Sequence, residues 1–254
     1  MSGLIDAHVH LEALPDPAAA LSRAGRAGVR AVVAVSLDRA SGERTLALAG
    51  ETAGVRVYPA LGLHPACLND DDPAPVLALI EDHLLEIVAV GEIGLDYRLP
   101  NARQNPDGRR RQRDVFRQLL KCLAEADLPA IIHGRGAYAD VLRLTREAGV
   151  RQAVFHGYDG PLDLLDEILA AGYWISANPA AEFSRRHRAA VAHAPIDRII
   201  LETDAPVRYN RVPAEPADLC RTRDIVSDIK GISPDEVARR TAHAAGAVFG
   251  IGDR

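Results

Sequence analysis

The chain has 254 residues, 48% of them hydrophobic, and a net charge of −5 from 30 basic and 35 acidic side chains. That is ordinary globular composition, ample for a large core, and it excludes a mainly disordered chain. The acidic balance argues against a general nucleic-acid coat protein, though not against an enzyme that grips nucleic acid locally. No apolar stretch approaches the roughly 18 residues of a membrane span. The opening MSGLIDAHVH lacks the basic and apolar segments of a secretory signal, so the expected compartment is the cytoplasm. The three cysteines, Cys67, Cys122 and Cys220, are far apart and form no C-x-x-C pair. A disulfide framework and a thiolate zinc site are therefore not expected.

In chain order, short β-rich runs occur at residues 4–8, 30–36, 56–61, 87–92, 129–133, 152–156, 173–176 and 198–202. Longer stretches with helical spacing lie between them, as at 18–28, 109–126, 138–148 and 162–171. Gly28, Gly54, Gly149 and Gly172 each stand where a helix would end and a strand begin, where a left-handed cap favours glycine. Strands alternating with helices imply parallel pairing through right-handed crossovers. Eight units in 254 residues average about 32 each, the size of a (β/α)8 repeat. The expected fold is thus α/β, a single TIM barrel over residues 1–254, with a doubly wound open sheet as the alternative. Residues 69–75 and 99–108 read as long βα loops. Residues 233–249, opening with Ser-Pro-Asp-Glu, read as an extra C-terminal helix. The stretch from Gly134 to Ala139 loosely matches a dinucleotide fingerprint, but small residues at a tight βα turn account for it. There is no P-loop, H-E-x-x-H or G-x-S-x-G.

The metal-capable side chains fall in one kind of place. His8 and His10 close the first strand, two apart and so on one face. His64 follows the third strand, Glu92 ends the fourth, His133 the fifth and His156 the sixth, and Asp204 follows the eighth. All lie at strand C-termini, the catalytic rim of a barrel. By contrast, His83, His187, His193 and His243 fall in helical or loop stretches and are assigned no chemistry. Four imidazoles and two carboxylates suit Zn, Mn or Mg. Six protein ligands exceed one tetrahedral zinc, so two divalent ions are expected. His8, His10, Glu92 and Asp204 would hold one, and Glu92, His133 and His156 the other, with Glu92 bridging. A carbamylated lysine bridge is not available, since Lys121 and Lys230 are the only lysines and both lie in predicted helices.

These residues resemble the TatD family of metal-dependent deoxyribonucleases. The family's D-x-H-x-H-L appears as Asp6-Ala-His8-Val-His10-Leu11, its G-x-H-P as Gly62-Leu-His64-Pro65, and its G-E-I-G-L-D-Y unchanged from Gly91 to Tyr97. Its Q-x-x-x-F-x-x-Q-L is similar to the run from Gln112 through Phe116, with the second Gln one place early. The later I-H, H-x-x-x-G and E-T-D-x-P appear as Ile132-His133, His156-Gly-Tyr-Asp-Gly160 and Glu202-Thr-Asp-Ala-Pro206. The resemblance implies a TIM barrel, a metal-dependent hydrolase, and DNase activity of the 3′ to 5′ exonuclease kind with DNA as substrate. Departures lie around the ligands. After His133 the usual acidic neighbour of the arginine is lost in Gly134-Arg135-Gly136-Ala137, and Tyr158 and Asp159 replace small polar residues. Asn178-Pro-Ala-Ala stands in place of a Gly-rich stretch.

In the resulting scheme, two ions about 3.5–4 Å apart activate a water and Asp204 orients it and accepts its proton. His64 contacts the phosphate or leaving group, or else makes a structural bond at the Pro65 turn. Asp6 and Glu202 are candidates to orient imidazoles or to form core ion pairs. Arg103, Arg109, Arg110, Arg111, Arg113 and Arg117 mostly read as a solvated helix face. Arg103 and Arg135, nearest the rim, are the better phosphate contacts, and Tyr97 and Tyr158 are candidates for base stacking or packing. The alternatives are a hydrolase of a small amide, lactone or nucleobase on the same barrel, or a non-catalytic barrel subunit.

Overall fold

The computed structural model describes residues 3–68 and 73–251. Its main sheet runs through β1 (Leu4–Val9), β2 (Val29–Val35), β3 (Val55–Leu61), β4 (Ala89–Gly94), β5 (Ala130–His133), β6 (Ala153–Phe155), β7 (Trp174–Ala177) and β8 (Ile199–Leu201). Each strand pairs in parallel with the next, which is the TIM-barrel order expected from the alternating pattern. The join between β8 and β1 is not a ladder. It consists of Asp204 N–H donating to His8 O (3.0 Å) and His10 N–H donating to Ala205 O (2.8 Å). Below them the Asp6 carboxylate accepts from the Thr203 amide at 3.0 Å and the Thr203 hydroxyl at 2.5 Å.

Strand alternation sorts the core into two layers. On β2, Val32 and Ala34 join the outer layer while Val33 and Val35 join the inner one. The outer layer is covered by helices α1 (Pro17–Arg26), α2 (Arg39–Ala47), α3 (Ala74–Asp82), α4 (Pro106–Ala126), α5 (Tyr138–Glu147), α6 (Leu162–Ala170), α7 (Arg185–His193) and α8 (Leu219–Lys230). The inner layer (Val33, Ala60, Ile131, Ile200 among others) is closed from below by Ala245, Val248 and Phe249 of α9 (Pro234–Phe249). This is the expected terminal helix, and Ser233 caps it by accepting from Glu236 N–H. It leaves the C-terminal rim as the open end.

Two local expectations change. Gly54 is not a helix terminus: with Ala53 (φ 54°) and Gly54 (φ 74°) both left-handed, it forms the turn of a hairpin between Gly50–Thr52 and β3. Residues 99–108 are not one loop, because Pro100–Arg103 forms a helical turn and α4 starts at Pro106. Asn105 accepts from the Asp107 and Gly108 amides, a cap followed by proline at the first helical position. The expected loop 69–75 lies mostly outside the described residues, and α3 begins within it. Among the described residues, no helix is long and apolar enough to cross a membrane.

Candidate metal centre

The rim positions follow from the strands beneath them. On β5 and β6, Ile131 and Val154 belong to the inner layer, and two residues further His133 and His156 project the same way. Glu92 is different. Outward Val90 and Ile93 are three apart, with a register irregularity between them, and this extra residue lets Glu92 face inward. β1 has a similar irregularity between Asp6 and Val9, so His8 and His10 both reach the centre. Glycines make room: a Cβ on Gly62 would lie 2.6 Å from the Gly91 carbonyl carbon. One on Gly94 (φ 144°) would lie 2.0 Å from the His133 carbonyl oxygen. The glycines of both motifs therefore allow the backbone around Glu92 to close up.

Glu92 is buried, and its two oxygens face different partners. Oε2 lies 3.5 Å from Nε2 of both His8 and His10, and those two nitrogens are 3.4 Å apart. Asp204 Oδ1 completes this group at 3.7 Å from each. Oε1 lies 2.8 Å from His133 Nδ1 and 2.9 Å from His156 Nε2, which are 3.3 Å from each other. His64 Nε2 stands 3.5 Å from the same oxygen. All six sequence-proposed ligands, and His64, thus meet at one mouth.

The remaining ring nitrogens are mostly held. His10 Nδ1 is 3.2 Å from Val35 O, His133 Nε2 is 3.3 Å from Asp96 Oδ2, and His156 Nδ1 is 3.4 Å from Glu202 Oε1. Asn178 Nδ2 donates to that Glu202 oxygen at 2.9 Å. One nitrogen toward the centre and the other on a fixing acceptor is the pattern of metal-ligating histidines. His8 Nδ1 is the exception, buried with no partner among the described residues. Asp204 has a left-handed backbone (φ 54°), which aspartate tolerates better than most residues.

The electrostatics demand positive charge here. Burial alone would raise Glu92, but the imidazoles of His64, His156 and His133 hold it well below the usual carboxylate range. Burial pulls His10 down, yet its bond to Asp204 and the charges of Glu92 and Asp204 raise it to about 9. His156 is raised well above the ordinary histidine value, because Glu92 and Glu202 outweigh burial. A divalent cation fits where these protons would otherwise be required. A tetrahedral ion with bonds of about 2.0–2.1 Å has donor–donor edges of about 3.3–3.4 Å. Among His8, His10, Glu92 and Asp204, the five distances that involve an imidazole are 3.4–3.7 Å. Among the described residues three donor groups fall within metal-binding reach: His8–His10–Glu92, His64–Glu92–His133 and His8–His156–Glu202.

Residues 5–250 match the model of the TatD-related DNase family. The chain belongs to that family. Human deoxyribonuclease TATDN3 is 30% identical, over 97% of this chain and 94% of its own. The uncharacterized metal-dependent hydrolase YjjV of Escherichia coli K12 is also 30% identical, over 97% and 98%. The crystal structure of that TatD homologue superimposes with a TM-score of 0.89 over 98% of both chains, at 28% identity. A TatD-family hydrolase from Entamoeba histolytica shares the fold at 0.83 and 22% identity, over 98% of both chains.

Within this TatD-family chain, several expectations for the surroundings of the centre change. Asp6 does not orient an imidazole. Its carboxylate takes the Thr203 donors and, at 3.4 Å, the His8 amide, and burial pushes it up to about 8 against those bonds. Tyr158 is fully buried with its hydroxyl on Pro161 O, so it cannot stack on a base. Tyr97 is half-buried, covered by the Arg109 guanidinium at 4.8 Å, and donates to Asp140. Arg109 itself donates to the Ala102 and Arg103 carbonyls, Arg113 to the Tyr97 hydroxyl, and Arg110 and Arg117 pair with Asp107 and Asp114. Arg110 and Arg117 thus pair along the exposed helix face, as expected, whereas Arg109 and Arg113 tie the helix to the residues before it. Three supports were not anticipated: Asp96, Asn178 and His187. His187 is buried on α7, faces Tyr158 O through Nδ1, and accepts the Asn178 amide at Nε2. The only signal for Asp96 was its place within the Gly91–Tyr97 motif.

Proposed function

We propose that this chain is a divalent-metal-dependent phosphodiesterase, a deoxyribonuclease of the 3′ to 5′ exonuclease kind. In this reading His8, His10, Glu92 and Asp204 hold one ion, and Glu92, His133 and His156 hold a second. The observation that carries it is the division of Glu92, one oxygen toward the first pair of imidazoles and the other toward the second. Bound divalent ions supply Lewis acidity for the phosphoryl oxygens and lower the pKa of the attacking water.

The protein's own groups do the rest. Asp204, about 15% exposed at its side chain, is the carboxylate of this group most open to the mouth, and it takes the proton from the water that attacks phosphorus. The phosphorus–oxygen bond to the leaving nucleotide then breaks, and that oxygen receives a proton. His64 Nδ1 accepts from the Ala66 amide at 3.0 Å, so the neutral ring carries its proton on Nε2, the nitrogen facing Glu92. That N–H is available to a phosphoryl or leaving oxygen. Arg135 and Arg103, exposed on the rim, grip the phosphate by their guanidinium forks. The site of action is the cytoplasm, where the free thiols of Cys67, Cys122 and Cys220 are maintained.

The test strips the protein of metal and adds back Mg, Mn or Zn singly, with a 5′-labelled single-stranded oligonucleotide as substrate. Stepwise release of mononucleotides from the 3′ end, restored by an ion and lost on chelation, is the expected result. Hydrolysis of amides or lactones with no phosphodiester cleavage under any ion would overturn the reading.

A further inference from the structure

At the end of the barrel opposite the metal centre, α9 closes the inner layer, but a groove of about 650 Å³ remains between that helix and the starts of β1, β2 and β3. Alternation on β3 sets Val55 and Val57 outward and Tyr58 and Ala60 inward, so Arg56 faces the inside of the barrel. It stands level with Ala31 on β2 and Ile5 on β1. Among such apolar neighbours a guanidinium needs a partner, and it lies over the Tyr58 ring at 5.8 Å. Arg30 enters the groove from β2, its stem lying across the bare backbone of Gly3, where a Cβ would meet Arg30 Cγ at 1.8 Å. On α9, Arg239, Ala242, His243 and Gly246 follow the three-and-four spacing of one helix face, and all four line the groove. The buried face of that helix, with Thr241, Ala245 and Val248, is a different one.

The groove holds no answering charge. Three guanidinium groups and an imidazole line it, and among the described residues no aspartate or glutamate does. Within the same residues Arg30, Arg56 and Arg239 make no hydrogen bond or ion pair. Glu51 stands opposite Arg56 in the hairpin, but it neither pairs with it nor lines the groove. The next residue of α9 is the contrast: Arg240 donates to Asp197 at 2.7 Å and to Glu236 at 3.3 Å. In a chain of net charge −5, cations brought together from three elements without an acid mark a site for an anion. The small side chains of Ala31 and Ala242, with Gly246, leave room for a flat body, and the volume falls in the range of small-molecule sites. A phosphomonoester is close to dianionic at neutral pH, and its oxygens take more than one guanidinium fork. The stack of Arg56 on Tyr58 is one that a nucleobase extends.

We infer that this groove is a second ligand site, which holds a nucleoside monophosphate with its phosphate on Arg30 and Arg239 and its base against Arg56 and Tyr58. The site stands apart from the metal centre: from Arg56 to Leu61 the strand alone spans roughly 17 Å, and His64 lies beyond its far end. Its occupant is held and not hydrolysed, and it ties α9 to the first three strands. The inference is independent of the phosphodiesterase reading. The phosphomonoester has two sources with the same chemistry: a free nucleotide, or the phosphorylated end of a strand.

The experiment follows amide hydrogen exchange of the metal-loaded protein during titration with adenosine 5′-monophosphate, adenosine, inorganic phosphate, or a 5′-phosphorylated oligonucleotide with slowly cleaved phosphorothioate linkages. The nucleotide is expected to protect peptides covering residues 50–58 and 239–251, at a concentration about ten-fold or more below that needed with adenosine or phosphate. Equal protection of these peptides by the oligonucleotide assigns a strand end, and protection by the nucleotide alone assigns the free molecule. Arg30→Ala/Arg239→Ala, both at exposed positions, should weaken the protection about ten-fold or more while metal content and turnover stay within about two-fold. Arg30→Lys/Arg239→Lys, which keeps the charge without the fork, should retain part of it. Protection confined to the segments around the metal ligands, or protection of the two peptides that the alanine variant keeps in full, overturns the site. Inorganic phosphate as effective as the nucleotide overturns the assignment to a nucleoside monophosphate.

Discussion

His133 and His156 stand on strands whose regular alternation carries them inward two residues beyond Ile131 and Val154, while His8 and His10 stand on a strand that breaks its register just before them. The first pair is braced by carboxylates, Asp96 and Glu202, the second of these itself held by Asn178. The other pair has only the Val35 carbonyl for His10, nothing for His8 Nδ1 among the described residues, and Asp204 arriving across the join from β8. One half of the centre is thus built into the sheet and the other is assembled where the sheet fails to close. The lesson is that rigidity here comes from outer acceptors and regular pairing, not from the ligands alone.

The comparison predicts graded losses. Glu92→Ala removes the group common to both halves, so bound metal should fall below one equivalent per chain by elemental analysis. Turnover should fall at least about a thousand-fold, and unchanged metal content would refute bridging. Asp204→Asn touches only the half at the join. Activity should drop about 10²–10⁴-fold with circular dichroism unchanged and the His133–His156 half still loaded, whereas wild-type turnover would remove its assigned role. Glu202→Gln leaves every donor in place but weakens the brace on His156, and a metal titration should show affinity lower by about 10–100-fold. The smallest effect on chemistry is expected from Asp6→Asn, which weakens the Thr203 bonds. Urea unfolding should show about 1–2 kcal/mol less stability with turnover within a few-fold of wild type.

Much of this was legible beforehand. The strand ends carried His133 and His156 to the rim because parity survives from sequence to fold, His8 and His10 because position does despite the break in β1, and caps such as Ser233-Pro234 announced α9. What was not legible depends on irregularity or on distant partners. Glu92 was placed at the rim by its position at a strand end, but its inward turn was not readable: it sits three residues from inward Ala89, out of phase for a regular strand, and only an inserted residue turns it inward. Asp96 and Asn178 act through loops whose course no periodicity describes. His187 lies on a helix far in sequence from the centre, and only the packing of α7 against the loop after β6 reveals that it holds Tyr158 and Asn178 in place. The Gly54 turn was misread because glycine serves helix ends and hairpins equally well.

The join between β8 and β1 carries a further consequence. Its two backbone bonds belong to His8, His10, Asp204 and Ala205, so the clasp of the ring and one half of the proposed metal centre are made from the same few residues. Warming or mild denaturant that springs this clasp separates His8 and His10 from Asp204 while the other seven pairings still hold. Loss of turnover should therefore run ahead of loss of the ring itself.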